Sequence, residues 1–188
     1  DIDLLKKEKY QRISLGIGRT YQTPMLITEN SVIDNCLIAD LGSKKNNFFS
    51  LFSKKKIVDK AYKKINATLT SLNIAHKKDF LVDELTHGEK KLLEIAMLLI
   101  SDCNVLLLDE PLAGIDPISI SEVSELVSQV KEKNVGVLVT DHNVRDTLNI
   151  VERAYIIHNG EIMKSGSPKE IAQDKNVKQV YLGSKFRF

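Results

Sequence analysis

Cysteine is scarce in this chain. Cys36 and Cys103 are the only two in 188 residues, and neither has the spacing of a zinc site or a disulfide framework, so both read as buried, inert thiols. Long apolar runs are missing too. None approaches the roughly 18 residues of a membrane span, and no amino-terminal apolar segment resembles a signal peptide, so a soluble, cytoplasmic protein is expected. Nothing repeats along the chain, which sets aside solenoids and propellers. None of the nine glycines is followed by lysine, so the G-x-x-x-x-G-K-[ST] loop that cradles phosphates is absent.

What is present describes a globular α/β protein. With 43% hydrophobic and 28% charged side chains, the chain can bury one substantial core and a small satellite. The formal net charge of +2 hides an asymmetry. Residues 1–80 carry 15 Lys/Arg against 8 Asp/Glu, and the remainder carries 12 against 17. A basic half raises the question of nucleic acid or anionic lipid. The clusters Lys44-Lys45 and Lys54-Lys55-Lys56 fall in a polar stretch containing Asn and Ser, and a solvated loop without a nucleic-acid partner is the expectation.

Residues 1–23 read as short and strand-like around the glycine-rich turn of "SLGIGRTYQ". From about Ser31 the spacing becomes helical, and Ile57, Ala61, Ile65, Leu69 and Leu72 mark an amphipathic helix with lysines on its outer face. "GEKKLLEIAMLLIS" is apolar round most of its circumference and predicts a buried helix. It feeds "NVLLLDEPLAGID", whose run Val105 to Leu108 suits a strand buried on both faces of a parallel sheet. "SEVSELVSQVKEK" is helical again, and "VGVLVTDH" is a second buried strand. This order specifies a parallel sheet with crossover helices. "AYIIHNGEIMKSG" turns at Asn159-Gly160, a strong hairpin signal, and Ser167-Pro168-Lys169-Glu170 forms a capping box that opens a final helix.

Ligands of parallel sheets bind at the carboxyl ends of the strands. Asp109 and Glu110 stand at such an end, and alternation along an extended chain points them in opposite directions, so one can hold a metal while the other works on a water. Gln22 and His142 stand at the ends of other elements. Together the four suit Mg²⁺ binding, water activation and phosphate sensing. Each alone has a structural reading: a strand-end histidine is more often a satisfied framework residue, and a glutamine in a turn is usually only a turn. "LTHGEKK" adds a hydroxyl and a glycine immediately before a long helix, which aims backbone amides and a positive helix end at an anion.

Five segments, in the order in which they stand along the chain, resemble motifs of the ATPase subunits of ABC transporters. "LTHGE" is similar to the signature loop LSGGQ, with Thr86 for serine, His87 for the first glycine and Glu89 for glutamine. "VLLLDE" resembles the Walker B strand, "AGID" the D-loop, "TYQTP" the Q-loop and "VTDHN" the switch-histidine strand. The resemblance implies a P-loop NTPase-like parallel-sheet core with a helical subdomain, truncated at its amino terminus. It divides the chain into 1–23, the end of the amino-terminal core with the Q-loop; 24–84, the helical subdomain; and 85–188, the signature helix, the core from Walker B to the switch histidine, and the carboxyl-terminal hairpin and helix. "DIDLL" resembles the family segment after the P-loop, so a fragment that does not itself turn over ATP is expected.

By the same resemblance the cofactors are ATP and Mg²⁺. Asp109 and Gln22 serve the metal, Glu110 is the general base, His142 contacts the γ-phosphate, and Gln22 completes the water environment and relays motion. Thr86, Gly88, Glu89 and Asp116 bind nucleotide held by a second subunit, so a homodimer or a pair of ATPase subunits is implied. Transmembrane subunits would dock in a groove beside Gln22 formed by the helical subdomain, with Pro24, Met25, Leu26 and Ile27 facing them, on the inner face of the membrane. A local core under the Q-loop is the other reading of those four residues. "GIGRTYQTPMLITENSVIDN" resembles the ATPases of branched-chain amino acid and urea importers. "AGIDPIS" and the ending "VKQVYLGSKFRF" resemble those of lipopolysaccharide export, which the longer carboxyl-terminal matches favour. An ABC protein working outside transport, or an inactive regulatory subunit, is the alternative of another class.

Overall fold

The computed structural model describes residues 2–43, 54–114, 117–132 and 134–182. They fall into two compact units, Asp1–Thr140 and Asp141–Phe188.

The first unit is built on a three-stranded parallel sheet in the order β1 (Ile17–Arg19), β2 (Val105–Asp109), β3 (Gly136–Thr140). The registers are Ile17 with Val105 and Val105 with Gly136. Between β1 and β2 run α2 (Val32–Ser43), α3 (Lys54–Ser71) and α4 (His87–Ile100), which pack on one another; between β2 and β3 runs α5 (Pro117–Glu132). The expected parallel sheet with crossover helices is present.

Burial on both faces is not. Leu106 and Leu108 are buried, whereas Val105 is over a third exposed and Leu138 is 56% exposed among the described residues. The reason is topological. Right-handed crossovers that step the same way along a sheet deliver their helices to the same face, and the order β1-β2-β3 is two such steps.

The amino terminus also departs from expectation. Among the described residues up to 23, β1 is the one strand; before it come a 3-10 turn at Leu4–Lys6 and the helix α1 (Lys9–Ser14). Asp3 accepts the Leu5 amide at 3.0 Å and Gln11 Oε1 accepts the Glu8 amide at 3.2 Å. Such local bonds occupy donors that a strand would offer to a neighbour. Gly18 is a close-approach site, since a Cβ there would lie 2.7 Å from Cys103 Sγ.

The α3 periodicity is as expected, with Ala61, Ile65 and Leu69 buried on the helix and Leu72 just after it. Its lysines are not all on an outer face. Lys64 donates to the Ile100 carbonyl at the end of α4 at 2.5 Å and pairs with Asp102 at 2.6 Å, placing a cation at a helix carboxyl terminus. Lys54, Lys55 and Lys56 begin α3 instead of forming a loop, because the helix extends a turn beyond its apolar pattern. Lys44 and Lys45 lie outside the described residues. Both cysteines are buried and free; burial pushes the Cys36 thiol up to about 12, which suppresses the thiolate.

The second unit contains α6 (Val144–Ile150), the antiparallel pair β4 (Ala154–His158) and β5 (Glu161–Gly166), and α7 (Pro168–Gln173). Asn159 and Gly160 have φ of 50° and 81°, the left-handed pair that a tight hairpin turn needs. Ser167 and Glu170 exchange capping bonds with Pro168 in the first turn. Leu148, Ile156, Ile171, Ala172 and Val177 form this unit's core.

Candidate active site

Asp109 closes β2. Its amide donates to Thr20 Oγ1 at 3.0 Å. Its carboxylate accepts from the Thr140 hydroxyl at 2.8 Å and from Arg19 Nη2 at 3.0 Å. Those two donors, the hydroxyl first, hold its carboxyl below the ordinary value, which favours the ionised form. Its neighbours therefore come from both flanking strands.

Glu110 has already left the strand. Its φ is 47°, a left-handed conformation uncommon outside glycine that marks stored strain. Three hydrogen bonds hold this peptide. The Glu110 amide donates to the Thr140 carbonyl at 2.7 Å, and the Glu110 carbonyl accepts from Ala113 N at 3.2 Å and from Lys91 Nζ at 2.6 Å. Glu110 therefore does not continue the strand alternation from which its direction was expected: its backbone has turned.

Lys91 was not among the expected site residues, and neither was Glu94. Both lie on the buried side of α4, Lys91 only 4% exposed. Glu94 Oε1 accepts the Tyr21 amide at 3.2 Å. Burial raises its carboxyl above the ordinary value, opposed by the Tyr21 and Met25 amides and by Lys91. One helix thus grips two segments that carry candidate site residues, the Glu110 turn through Lys91 and the turn carrying Gln22 through Glu94. The available signal was Lys91 and Glu94, two charges three apart and interleaved with the apolar residues of the helix, since buried charges are rare unless paired.

Gln22 itself is exposed, in the bend that follows β1. Thr20 N donates to the Leu107 carbonyl at 2.9 Å, and the Thr20 hydroxyl meets the Asp109 amide. The start of this bend is thereby joined to the acid-bearing strand end. Further on, the buried Asn35 clamps Ile27 through its amide and carbonyl at 2.9 and 3.1 Å. The four apolar residues after Gln22 are neither uniformly exposed nor a core: Met25 is 73% exposed and Ile27 is exposed, while Pro24 and Leu26 are half-buried.

At its start, α4 has Thr86 as N-cap. The Thr86 hydroxyl accepts Glu89 N at 3.3 Å and Glu89 Oε2 accepts Thr86 N at 2.9 Å. Lys77 holds the other Glu89 oxygen at 2.5 Å. Partial burial raises the Glu89 carboxyl, but Lys77 and Thr86 outweigh it and the net direction is down. The Glu89 side chain is occupied by the cap, leaving the Thr86 hydroxyl hydrogen and the first amides of α4, Gly88 among them, as donors for an anion. The His87 ring lies 3.9 Å from where a Gly114 Cβ would stand, so the start of α4 borders the segment after Glu110. Asp116 lies outside the described residues.

His142 belongs to the second unit. Its side chain is 72% exposed, with Nδ1 3.8 Å from Asp141 Oδ1. Asn143 follows it, accepting the Asp146 amide as N-cap of α6 at 3.3 Å. The first unit thus gathers Arg19, Thr20, Asp109, Glu110 and Thr140 at one end of the sheet, with Gln22 on the adjoining bend.

Residues 1–113 match the ABC transporter family model. The LptB lipopolysaccharide export system ATP-binding proteins of Haemophilus influenzae and Escherichia coli K12 are 37% and 38% identical over 187 residues, all of this chain and 73% of theirs. Among solved structures, the ATP-binding cassette MJ1267 in its ADP conformation superimposes with a TM-score of 0.79 at 29% identity, covering 98% of this chain and 75% of that one. CbiO1 of Clostridium perfringens, part of the ABC transporter complex CbiONQ, gives 0.71 at 27% identity, covering 93% and 66%. No helix among the described residues is long and apolar enough to cross a membrane. The family match over more than half the chain, the shared cassette fold and the acid-bearing strand end agree, and the chain belongs to the ABC transporter ATPase family.

Proposed function

We propose that this chain is the ATP-hydrolysing part of an ABC transporter that exports lipopolysaccharide, peripheral on the inner face of the membrane. The observation that carries the cargo is the match to LptB proteins along the whole chain. What supports the chemistry is the Glu110 turn, which places a second acid directly after the carboxylate held by Arg19 and Thr140.

In this reading Glu110 is the general base: an ionised carboxylate takes the proton of the attacking water, and its strained, three-bonded peptide limits the positions it can adopt. His142 donates to the γ-phosphate, where an imidazole hydrogen bond meets developing charge. Gln22 orients the water and senses the phosphate. Thr86 and Gly88 offer hydroxyl and amide donors to ATP held on a second ATPase subunit, Asp116 is assigned to the same nucleotide by its D-loop motif, and Glu89 acts by holding that cap together. Residues 24–84 form the helical subdomain, and Met25 and Ile27 face the transmembrane subunits.

Magnesium fits the donor set. Among the described residues no three His, Cys, Asp or Glu side chains converge, so Asp109 would hold the ion through a single carboxylate, with Gln22 beside it and phosphates and waters supplying the rest, as this hard cation prefers. When bound, the ion neutralises charge on the phosphates. Asp109 itself stays ionised to meet it.

The test is the protein encoded by the whole gene, purified with its membrane subunits in vesicles. Lipopolysaccharide should stimulate ATP turnover, and Glu110→Gln should cost about 10² to 10⁴ in rate while ATP still brings two ATPase subunits together. Stimulation by a branched-chain amino acid instead would reassign the cargo, and normal turnover in Glu110→Gln would remove the base.

A further inference from the structure

The Asp109 carboxylate already has a cation. Arg19 Nη2 lies 3.0 Å from Oδ2, while the Thr140 hydroxyl occupies Oδ1. The geometry follows from register: Arg19 pairs with Leu107 across the sheet, and Asp109, two residues on, presents its side chain on the same face as Leu107. The guanidinium carbon is also 5.4 Å from the centre of the Tyr21 ring, within cation–π range. Tyr21 immediately precedes Gln22 and gives its amide to Glu94.

We propose that Arg19 is a resident counter-cation on the metal carboxylate, displaced when a divalent ion binds. The inference rests on the reading of Asp109 as the magnesium carboxylate. A dication on Asp109 takes an oxygen that Arg19 now holds, and two cations sharing one carboxylate repel. The Arg19 side chain is 56% exposed, so it has water to swing into. Leaving Asp109 also takes it off the Tyr21 ring, so metal arrival loosens the residue beside Gln22. The metal-free carboxylate meanwhile remains neutralised and in place.

The competition is measurable as a binding midpoint. Mn²⁺ is titrated into the ADP-bound product of the whole gene, with free ion read by electron paramagnetic resonance. Arg19→Gln should lower the half-saturating Mn²⁺ roughly two- to fivefold, the range into which the strength of a half-exposed ion pair converts. Arg19→Lys keeps the charge and should stay close to the parent. ADP affinity in EDTA should be unchanged in both. An unmoved or raised midpoint in Arg19→Gln overturns the proposal, as does an equal shift in Arg19→Lys or a loss of ADP affinity in EDTA, which would make Arg19 a phosphate ligand. Asp109→Asn separates the two levels. If it leaves Mn²⁺ binding intact, the metal reading itself fails; if it weakens binding while Arg19→Gln changes nothing, only the counter-cation fails.

Discussion

Lys91→Met tests whether α4 positions Glu110, the proposed general base. Methionine keeps most of the stem's volume and removes the ammonium that donates to the Glu110 carbonyl at 2.6 Å. A hydrogen bond with a charged donor contributes about 1.5–3 kcal/mol. The left-handed peptide at Glu110, φ 47°, stores about 1–3 kcal/mol. The two are of similar size, so without Lys91 the remaining bonds to Ala113 and Thr140 no longer clearly outweigh the strain. The turn then relaxes and the carboxylate shifts, and a displacement of about 1 Å can cost 10²-fold in rate. We expect kcat to fall about 10- to 100-fold in the membrane complex, with ATP affinity within about twofold of the parent, read by phosphate release and nucleotide titration. The urea midpoint should drop by about 1 M, given typical slopes of about 1–3 kcal/mol per M. Part of that drop arises because Glu94 loses the cation that offsets its burial. Adding Glu94→Gln to Lys91→Met should therefore recover stability without recovering rate. A parental kcat in Lys91→Met, alongside a lowered urea midpoint, would refute the positioning role and leave Lys91 only structural.

Two further predictions concern other parts of the first unit. The Glu89 carboxyl is lowered from the ordinary 4.5, so the stabilisation from its cap and ion pair is present above that value and lost as pH falls through the folded one; the urea midpoint should fall more steeply in acid for the parent than for Glu89→Gln, and parallel slopes would sink the assignment. Met25→Glu should preserve cooperative melting while abolishing co-purification with the membrane subunits, because an exposed side chain tolerates a charge that the half-buried Leu26 would not. Normal co-purification would exclude Met25 from the docking surface.

The sequence by itself determined the elements whose cause is local. The pattern of α4, apolar round most of its circumference, the short run of β2, the Asn159-Gly160 hairpin and the Ser167/Glu170 capping box each follow from neighbours a few residues apart, and each stands where the pattern predicts it. Motif order alone also carried the family. The amino terminus misled because the bonds of Asp3 and Gln11 to nearby amides compete with extension, and residue-type patterns do not weigh that competition. Only the tertiary structure decided which face of the sheet is covered, since this depends on the direction of successive crossovers, which periodicity does not encode. It alone brought Arg19 to Asp109, Lys91 to the Glu110 carbonyl and Glu94 to the Tyr21 amide, pairs separated by 90, 19 and 73 positions. A charge on a helix face carries no local mark of its partner. The left-handed Glu110 peptide belongs with these, because its strain persists only where distant groups, Thr140 and Lys91, hold it.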